Sequence, residues 1–205
     1  MRRMLENINI PNEMSKKDII ETILFILNKI LDYTSKLDEE IPSIFDRKEK
    51  EEKNKEADLS TDETSDKENE NNDISTTDEK EKIPLAEYVY YWTEKLNFNE
   101  NMLFLMMMNL DKILNSKKII LNEKNIENVL FTCMIITQKY HEDVIFSDKD
   151  YSKLLNIDCD EIIEMQMKYL ESIDYSLLID KEDLDQYKIK MKRIWRSNML
   201  FLMNS

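Results

Sequence analysis

The sequence has 205 residues and no glycine, although an average usage of about 7% would give roughly fourteen. This absence excludes the glycine-rich phosphate loop, the dinucleotide-binding fingerprint and the nucleophile elbow, because each needs a backbone without Cβ at fixed positions. Tight hairpin turns that depend on glycine are missing as well, which disfavours an all-β fold.

Histidine and cysteine are almost as scarce, with His141, Cys133 and Cys159 as the only representatives. Three such residues spread over several elements disfavour a structural zinc site, and nothing places a serine or cysteine beside His141 for nucleophilic catalysis. We therefore expect no metal, no cofactor and no enzyme active site, and we predict His141 to be a surface residue at a helix end.

The net charge of −14 disfavours a nucleic-acid backbone or an anionic membrane as the main partner. The longest apolar run, 102–108, has seven residues, whereas a helix that spans a bilayer needs about 20. The first residues do not have the pattern of a secretory signal, and two unpaired cysteines favour a reducing compartment. We expect a nuclear location, a cytoplasmic location or both.

An acidic segment at 46–82 divides the chain. Its 37 residues include 15 acids, 8 bases and only three apolar residues, so we predict it to be disordered. Four of its residues are candidates for phosphorylation because each has an acid three residues later: Ser60, Ser65, Ser75 and Thr76. The alternative is a solvated insertion without regulatory effect. The predicted organisation is an N-terminal segment (1–45), the insertion (46–82), a helical domain (83–180) and a C-terminal helix with a tail (181–205).

Outside the insertion the chain predicts helices, most of them opened by a polar capping residue with an acid three positions later. Ser15 and Ser147 open the first and fifth, and Asn97 with Glu100 is expected to open the third. Asn156 can replace glycine in the left-handed conformation that ends the fifth helix. The predicted helices span 16–36, 85–96, 97–114, 124–141, 148–155, 158–172, and 180 to 193 or beyond.

Two of these helices are apolar on nearly every side. In 126–136 eight of eleven residues are apolar, and in 102–110 eight of nine are. Such helices must be wrapped by others. This predicts an all-α bundle of the five helices from 85–96 to 158–172, in which the third of these five, 124–141, is central and buried. We interpret the run 106–108, three methionines, as core filling, with a binding surface as the alternative.

The order of these helices and several local strings resemble the cyclin box, in particular that of the phosphate-pathway (P/U-type) cyclins. The stretch 106–113 is similar to the second-helix signature, and 125–140, which ends in Thr-Gln-Lys-Tyr, is similar to the third helix. Further similarity covers 141–154, 161–170 and 173–175, while the first helix and 42–45 resemble the elements that precede the box. Two departures are the missing glycine pair before the fifth box helix and Gln166, which replaces a glutamate.

The resemblance implies a regulatory subunit without an active site. Such a subunit forms a heterodimer with a cyclin-dependent serine/threonine kinase and activates it through the third and fifth box helices. It also implies that the kinase-binding residues are Ile136, Lys139, Tyr140, Gln166, Leu170, Tyr175 and Leu177. Independently of the resemblance, Tyr140, Tyr169 and Tyr175 are amphipathic residues of the kind enriched at interface cores.

Other interpretations stay open. Lys139 lies in the last turn of a predicted helix, where the macrodipole favours a cation regardless of function. Tyr169 and Leu170 could belong to the core, and Asp111 is expected to support the fold. A helical scaffold that kept the fold and lost the kinase is the main alternative, and a cyclin-fold DNA-binding protein is disfavoured by the acidic charge.

Overall fold

The computed structural model describes residues 13–36 and 83–204, and every regular element in these ranges is a helix. The all-α class predicted from the sequence is therefore confirmed. The helices are α1 (Lys16–Thr34), α2 (Leu85–Lys95), α3 (Glu100–Asn115), α4 (Ile126–His141), α5 (Asp148–Leu155), α6 (Cys159–Ser172) and α7 (Lys181–Asn204). The acidic segment 46–82, with its four phosphorylation candidates, and the connector 42–45 lie outside the described residues, so the predictions for them and the domain boundaries stay predictions.

Capping chemistry sets several helix ends as the sequence predicts. Ser15 forms a capping box with Asp18 at the start of α1, and Ser147 forms one with Asp150 at the start of α5. Asn156 ends α5 in the left-handed conformation, with φ 54°. Because each motif satisfies backbone groups within one turn, local sequence is enough to identify it.

The start of α3 corrects one prediction. Its capping residue is Asn99, whose side-chain oxygen accepts from the Met102 amide at 3.0 Å. Asn97, the expected cap, instead takes the left-handed conformation with φ 53° in the turn that ends α2. Both asparagines suit either role, and Asn97 takes the position that another protein would give to glycine.

The central helix of the bundle is α4, the third of the five helices α2–α6. All but one of its residues from Ile126 to Gln138 are buried, and it packs against α2, α3 and α6. Met106 and Met107 of α3 are buried in the same core, which confirms the interpretation of 106–108 as core filling for these two residues, whereas Met108 is only partly buried. His141 is the exposed last residue of α4, as predicted. Buried side chains of this size contribute about 1.5–3 kcal/mol each, so α3 and α4 dominate the apolar stabilisation.

The last helix, α7, packs against α1 and α3. The Tyr187 hydroxyl donates to Asp111 Oδ2 at 3.0 Å, and Lys190 Nζ lies 3.8 Å from the same oxygen. Burial raises the pKa of Asp111, although the Tyr187 hydrogen bond and the Lys190 charge oppose the shift. Asp111 joins two helices, which agrees with the fold-supporting role expected from the sequence.

Candidate functional site

Three helices meet at Lys139, which lies in the last turn of α4. Its Nζ donates to Asp148 Oδ1 at the start of α5 and to Gln166 Oε1 on α6, the latter at 2.8 Å. The Lys139–Gln166 contact inferred from the resemblance is therefore present. An ammonium has three protons, and among residues 13–36 and 83–204 two of them are bonded, on a lysine that is half-buried.

Gln166 connects the other two members of this group. Its Nε2 donates to Asp148 Oδ1 at 2.8 Å and to the Ile162 carbonyl at 3.1 Å, while its Oε1 faces Lys139. The amide thus offers an acceptor to the cation and donors to the anion, an arrangement that a glutamate could not make. We call Lys139, Asp148 and Gln166 the lysine triad.

The sequence did not identify Asp148 as the partner of Lys139. Burial raises the pKa of Asp148, but the hydrogen bonds from Lys139 and Gln166 and the charge of Lys139 together hold it below its usual value. Asp148 is therefore ionised at neutral pH and supplies the carboxylate that Gln166 lacks. Its place directly after the Ser147 cap, at the end of the loop that follows Lys139, was the available signal.

A second hydrogen-bonded pair supports the loop between α4 and α5. Gln138 is buried; its Nε2 donates to the Leu96 carbonyl at 3.2 Å and its Oε1 accepts from the Tyr151 hydroxyl at 2.6 Å. The Tyr151 ring lies 5.8 Å from that of Phe146 and 5.9 Å from Lys139 Nζ. Burial raises the pKa of Tyr151, so its hydroxyl remains a donor. The pair anchors the loop that passes beside the lysine triad.

Exposed apolar side chains lie on the same helices and loop as the triad residues. Tyr140 is 47% exposed, and Val144, in the loop before α5, is 88% exposed. On α6, Ile163 and Met167 are exposed, and with Leu170 they have the i, i+4, i+7 spacing of a single helix face. This spacing was the signal that sequence reasoning missed. We call the exposed members the apolar rim: Tyr140, Val144, Ile145, Phe146, Ile163 and Met167.

The segment after α6 presents two more exposed apolar side chains, Tyr175 and Leu178. Asp174 and Tyr175 both take the left-handed conformation, with φ 51° and 58°. For a residue other than glycine, asparagine or aspartate this conformation costs about 1–2 kcal/mol. Lys112 Nζ, from α3, donates to the carbonyls of Ser176 (2.8 Å) and Leu178 (3.1 Å).

The residues predicted to bind a kinase differ in accessibility. Tyr140 and Tyr175 are exposed and Lys139 is half-buried, whereas Ile136 is only 5% exposed and packs in the core. Gln166 is buried and acts through the triad, and Leu170 and Leu177 are partly buried against the core. Tyr169, whose position was left open, is fully buried and donates its hydroxyl to the Asn109 carbonyl at 3.0 Å.

Within residues 13–36 and 83–204, no group of three or more histidine, cysteine, aspartate or glutamate side chains could hold a metal ion. Over the same ranges, no helix combines the length and the hydropathy that a membrane crossing requires. Cys133 and Cys159 are free thiols, and burial raises the pKa of Cys133 well above that of an exposed thiol.

Comparison with known proteins gives the identity of the domain. PHO85 cyclin-7 of Saccharomyces cerevisiae is 25% identical over 76 residues, which are 37% of this chain and 27% of that protein. PHO85 cyclin-6 of the same yeast is 23% identical over 78 residues, which are 38% of this chain and 19% of that protein. The chain thus matches about a quarter or less of these relatives. The family "Cyclin, N-terminal domain" matches residues 40–178, more than half of the chain. The chain belongs to the cyclin family, and its resemblance is to the P/U-type members.

Proposed function

We propose that this protein is the regulatory subunit of a cyclin-dependent serine/threonine kinase, which it binds and activates. Membership of the cyclin family supports the proposal, as do relatives whose names join them to PHO85. The kinase is expected to be of the type that P/U-type cyclins bind. In this proposal the protein has no catalytic residues of its own.

The geometry of Lys139 is the observation that carries the proposal, since Asp148 and Gln166 bind two of its three protons among the described residues and the third can face a partner. A lysine fixed by Asp148 and Gln166 can offer that proton to an acceptor of a partner without a search among rotamers. A backbone carbonyl of the kinase is the expected acceptor. Because the carboxylate already balances the charge of Lys139, a neutral acceptor is sufficient.

The apolar rim supplies the desolvation that an isolated polar contact lacks. Tyr140 and Val144 on one side and Ile163 and Met167 on the other would exclude water from Lys139 once a partner covers them. Interfaces commonly combine a central polar contact with surrounding apolar and aromatic side chains. Tyr175 and Leu178 would extend this surface.

Activation is proposed to be a shift of population. A kinase helix that carries the glutamate of the Lys–Glu ion pair would dock against α4 and α6. The bound conformation would then be the one in which that ion pair is formed. The subunit needs only to bind this conformation more tightly than the inactive one.

The proposed assembly is a heterodimer with the kinase, in the nucleus, the cytoplasm or both, without nucleic acid or membrane as a partner. The net charge of −14 is consistent with this choice of partner.

Affinity purification of the full chain from cells that express it, followed by mass spectrometry and a kinase assay, tests the proposal. Recovery of a cyclin-dependent kinase whose activity on a serine/threonine substrate increases with added chain would support it. A kinase that binds without activation would support the scaffold alternative instead, and recovery of no kinase would overturn the proposal. Lys139→Met should remove the kinase from the eluate. The control Lys168→Met lies about 200° around α6 from Gln166 and should not.

A further inference from the structure

The chain turns after α6 through a conformation that its own residues do not favour. Tyr175 has φ 58°, where its Cβ crowds the following carbonyl oxygen. The ring is 58% exposed, so packing of the ring does not hold the backbone in this region. A bulky residue stays in such a conformation only where surrounding contacts fix the backbone on both sides.

Contacts on the N-terminal side of Tyr175 come from the helix end itself. The Tyr175 amide donates to the Leu170 carbonyl at 2.8 Å, and the Ser176 amide donates to the Ile173 carbonyl at 3.0 Å. These bonds close the turn, but they leave the carbonyls of residues 176–178 without a helical partner.

On the C-terminal side, Lys112 reaches the segment from α3. Its Nζ donates to the Ser176 and Leu178 carbonyls at 2.8 and 3.1 Å, although it lies more than sixty residues earlier in the chain. Leu177, between the two acceptors, packs partly against the core. The segment is thus held from the side of the bundle while Tyr175 and Leu178 face outward.

We propose that Lys112 is a positioning residue, which fixes the backbone of 175–178 so that Tyr175 and Leu178 are presented for binding. The inference rests on the proposed function for its consequence, kinase binding, but the clamp itself can be measured in the free protein. Lys112 acts on backbone carbonyls, and any effect on the partner passes through the segment.

A neighbouring lysine provides a matched control. Lys118 Nζ donates to the Glu171 carbonyl at 3.1 Å and lies 3.9 Å from Asp174, so it contacts the same helix end. It does not reach the carbonyls beyond Tyr175. Removal of Lys118 should therefore disturb the end of α6 without release of the following segment.

Hydrogen exchange of the full-length protein, without a partner, tests the clamp. Lys112→Met removes two charge-assisted bonds and should increase the exchange of the Tyr175, Ser176 and Leu177 amides by about tenfold or more, since the loss of either bond would give about that factor. Amides of α4 should exchange as in the wild type. Lys112→Arg, which keeps the donors, should restore protection, and Lys118→Met should change these three amides by less than about threefold.

Kinase affinity tests the consequence. Lys112→Met should weaken binding about tenfold and Lys112→Arg should restore it. Wild-type exchange rates at 175–177 in Lys112→Met would overturn the clamp, and fast exchange with unchanged affinity would overturn the positioning role. If the α4 amides of Lys112→Met also exchange faster, Lys112→Gln, which keeps an amide donor, is used instead. The same changes in exchange and affinity are expected for it, at smaller size. A wild-type chain that binds no kinase would instead overturn the proposed function, and the exchange result would stand.

Discussion

Two lysines occupy equivalent places at the ends of two buried helices and do different work. Lys139 lies in the last turn of α4 and Lys112 in the last turn of α3, where the helix dipole favours a cation in each case. Lys139 is held by a carboxylate and an amide side chain. Lys112 is held by two backbone carbonyls of another segment. We propose that Lys139 contacts a partner and that Lys112 fixes the backbone next to it.

The difference between Lys139 and Lys112 follows from the groups that accept their hydrogen bonds. Asp148 balances the charge of Lys139, so this cation stays close to the surface at little cost. The acceptors of Lys112 are neutral, and burial lowers its pKa against a smaller opposing effect of the Asp183 charge. We therefore expect substitutions at the two places to differ in what they change: affinity at the first, and backbone order at the second.

The largest effect is expected at Lys139. Lys139→Met keeps the aliphatic stem and removes the donor, which leaves Asp148 and Gln166 without their cation. Affinity for the kinase should fall roughly 30-fold, or about 2 kcal/mol, the lower end for a charged contact that becomes buried in an interface. Isothermal titration calorimetry measures it, with Lys168→Met as the control. An unchanged affinity would remove Lys139 from the interface.

Tyr175→Gly distinguishes the contribution of the Tyr175 ring to binding from the effect of its backbone conformation on stability. Affinity should fall about tenfold with the loss of an exposed aromatic side chain. The melting temperature should stay near that of the wild type, since relief of the left-handed conformation offsets the flexibility of glycine. Tyr175→Ala should bind as weakly but be about 1 kcal/mol less stable than Tyr175→Gly. Equal stability of the two variants would contradict strain at this residue.

Gln166→Glu is a substitution for which the family resemblance and the structure predict opposite effects. From the family pattern one would expect a restored glutamate to strengthen the hold on Lys139. In the structure the new carboxylate would face Asp148 Oδ1, which now accepts from the Gln166 amide at 2.8 Å. Affinity should fall about three- to tenfold at pH 7.5 and recover as the pH is lowered and one carboxyl takes up a proton.

Asn101→Asp, which adds the same charge at an exposed position on α3, is the control for Gln166→Glu. Tighter binding of Gln166→Glu at neutral pH would contradict the triad geometry.

The smallest effects concern stability, where Asp148 and Asp111 should respond to pH in opposite ways. The lowered pKa of Asp148 means that its stabilising contribution is present above the unfolded value of about 4 and is lost as the pH falls through the folded value. The raised pKa of Asp111 means that stability from this group is present below about 4 and lost as the pH rises.

At pH 7, Asp148→Asn should therefore destabilise the protein, and Asp111→Asn should be neutral or stabilising, each by less than about 1 kcal/mol because both carboxylates are partly exposed. Urea unfolding at pH 7 and pH 3.5 measures both. The same sign for the two variants at pH 7 would contradict the assigned environments.

Local chemistry made much of the fold predictable. Ser15, Ser147 and Asn156 act within one turn of themselves, and the apolar run of α4 requires burial whatever surrounds it. The choice between Asn97 and Asn99 failed because both residues satisfy the same local rules and the turn that ends α2 decides between them.

The site was predictable only in part. Lys139 and Gln166 came from the resemblance, and Ile163 and Met167 could have been found from their spacing. Asp148 was indicated only by its place after the Ser147 cap. The role of Lys112 could not be obtained from local patterns, since its partners come from another element. For Lys112 the partners are backbone carbonyls, which every residue carries.

Hydrogen exchange of the complex with the co-purified kinase tests the central claim most directly. Binding should slow amide exchange in three stretches: 138–148, which contains Lys139 and Asp148, 163–170 on α6, and 175–178. The α1 and α7 amides should change little. Protection confined to α1 and α7, with these three stretches unchanged in a saturated complex, would contradict the claim that the kinase binds at the lysine triad.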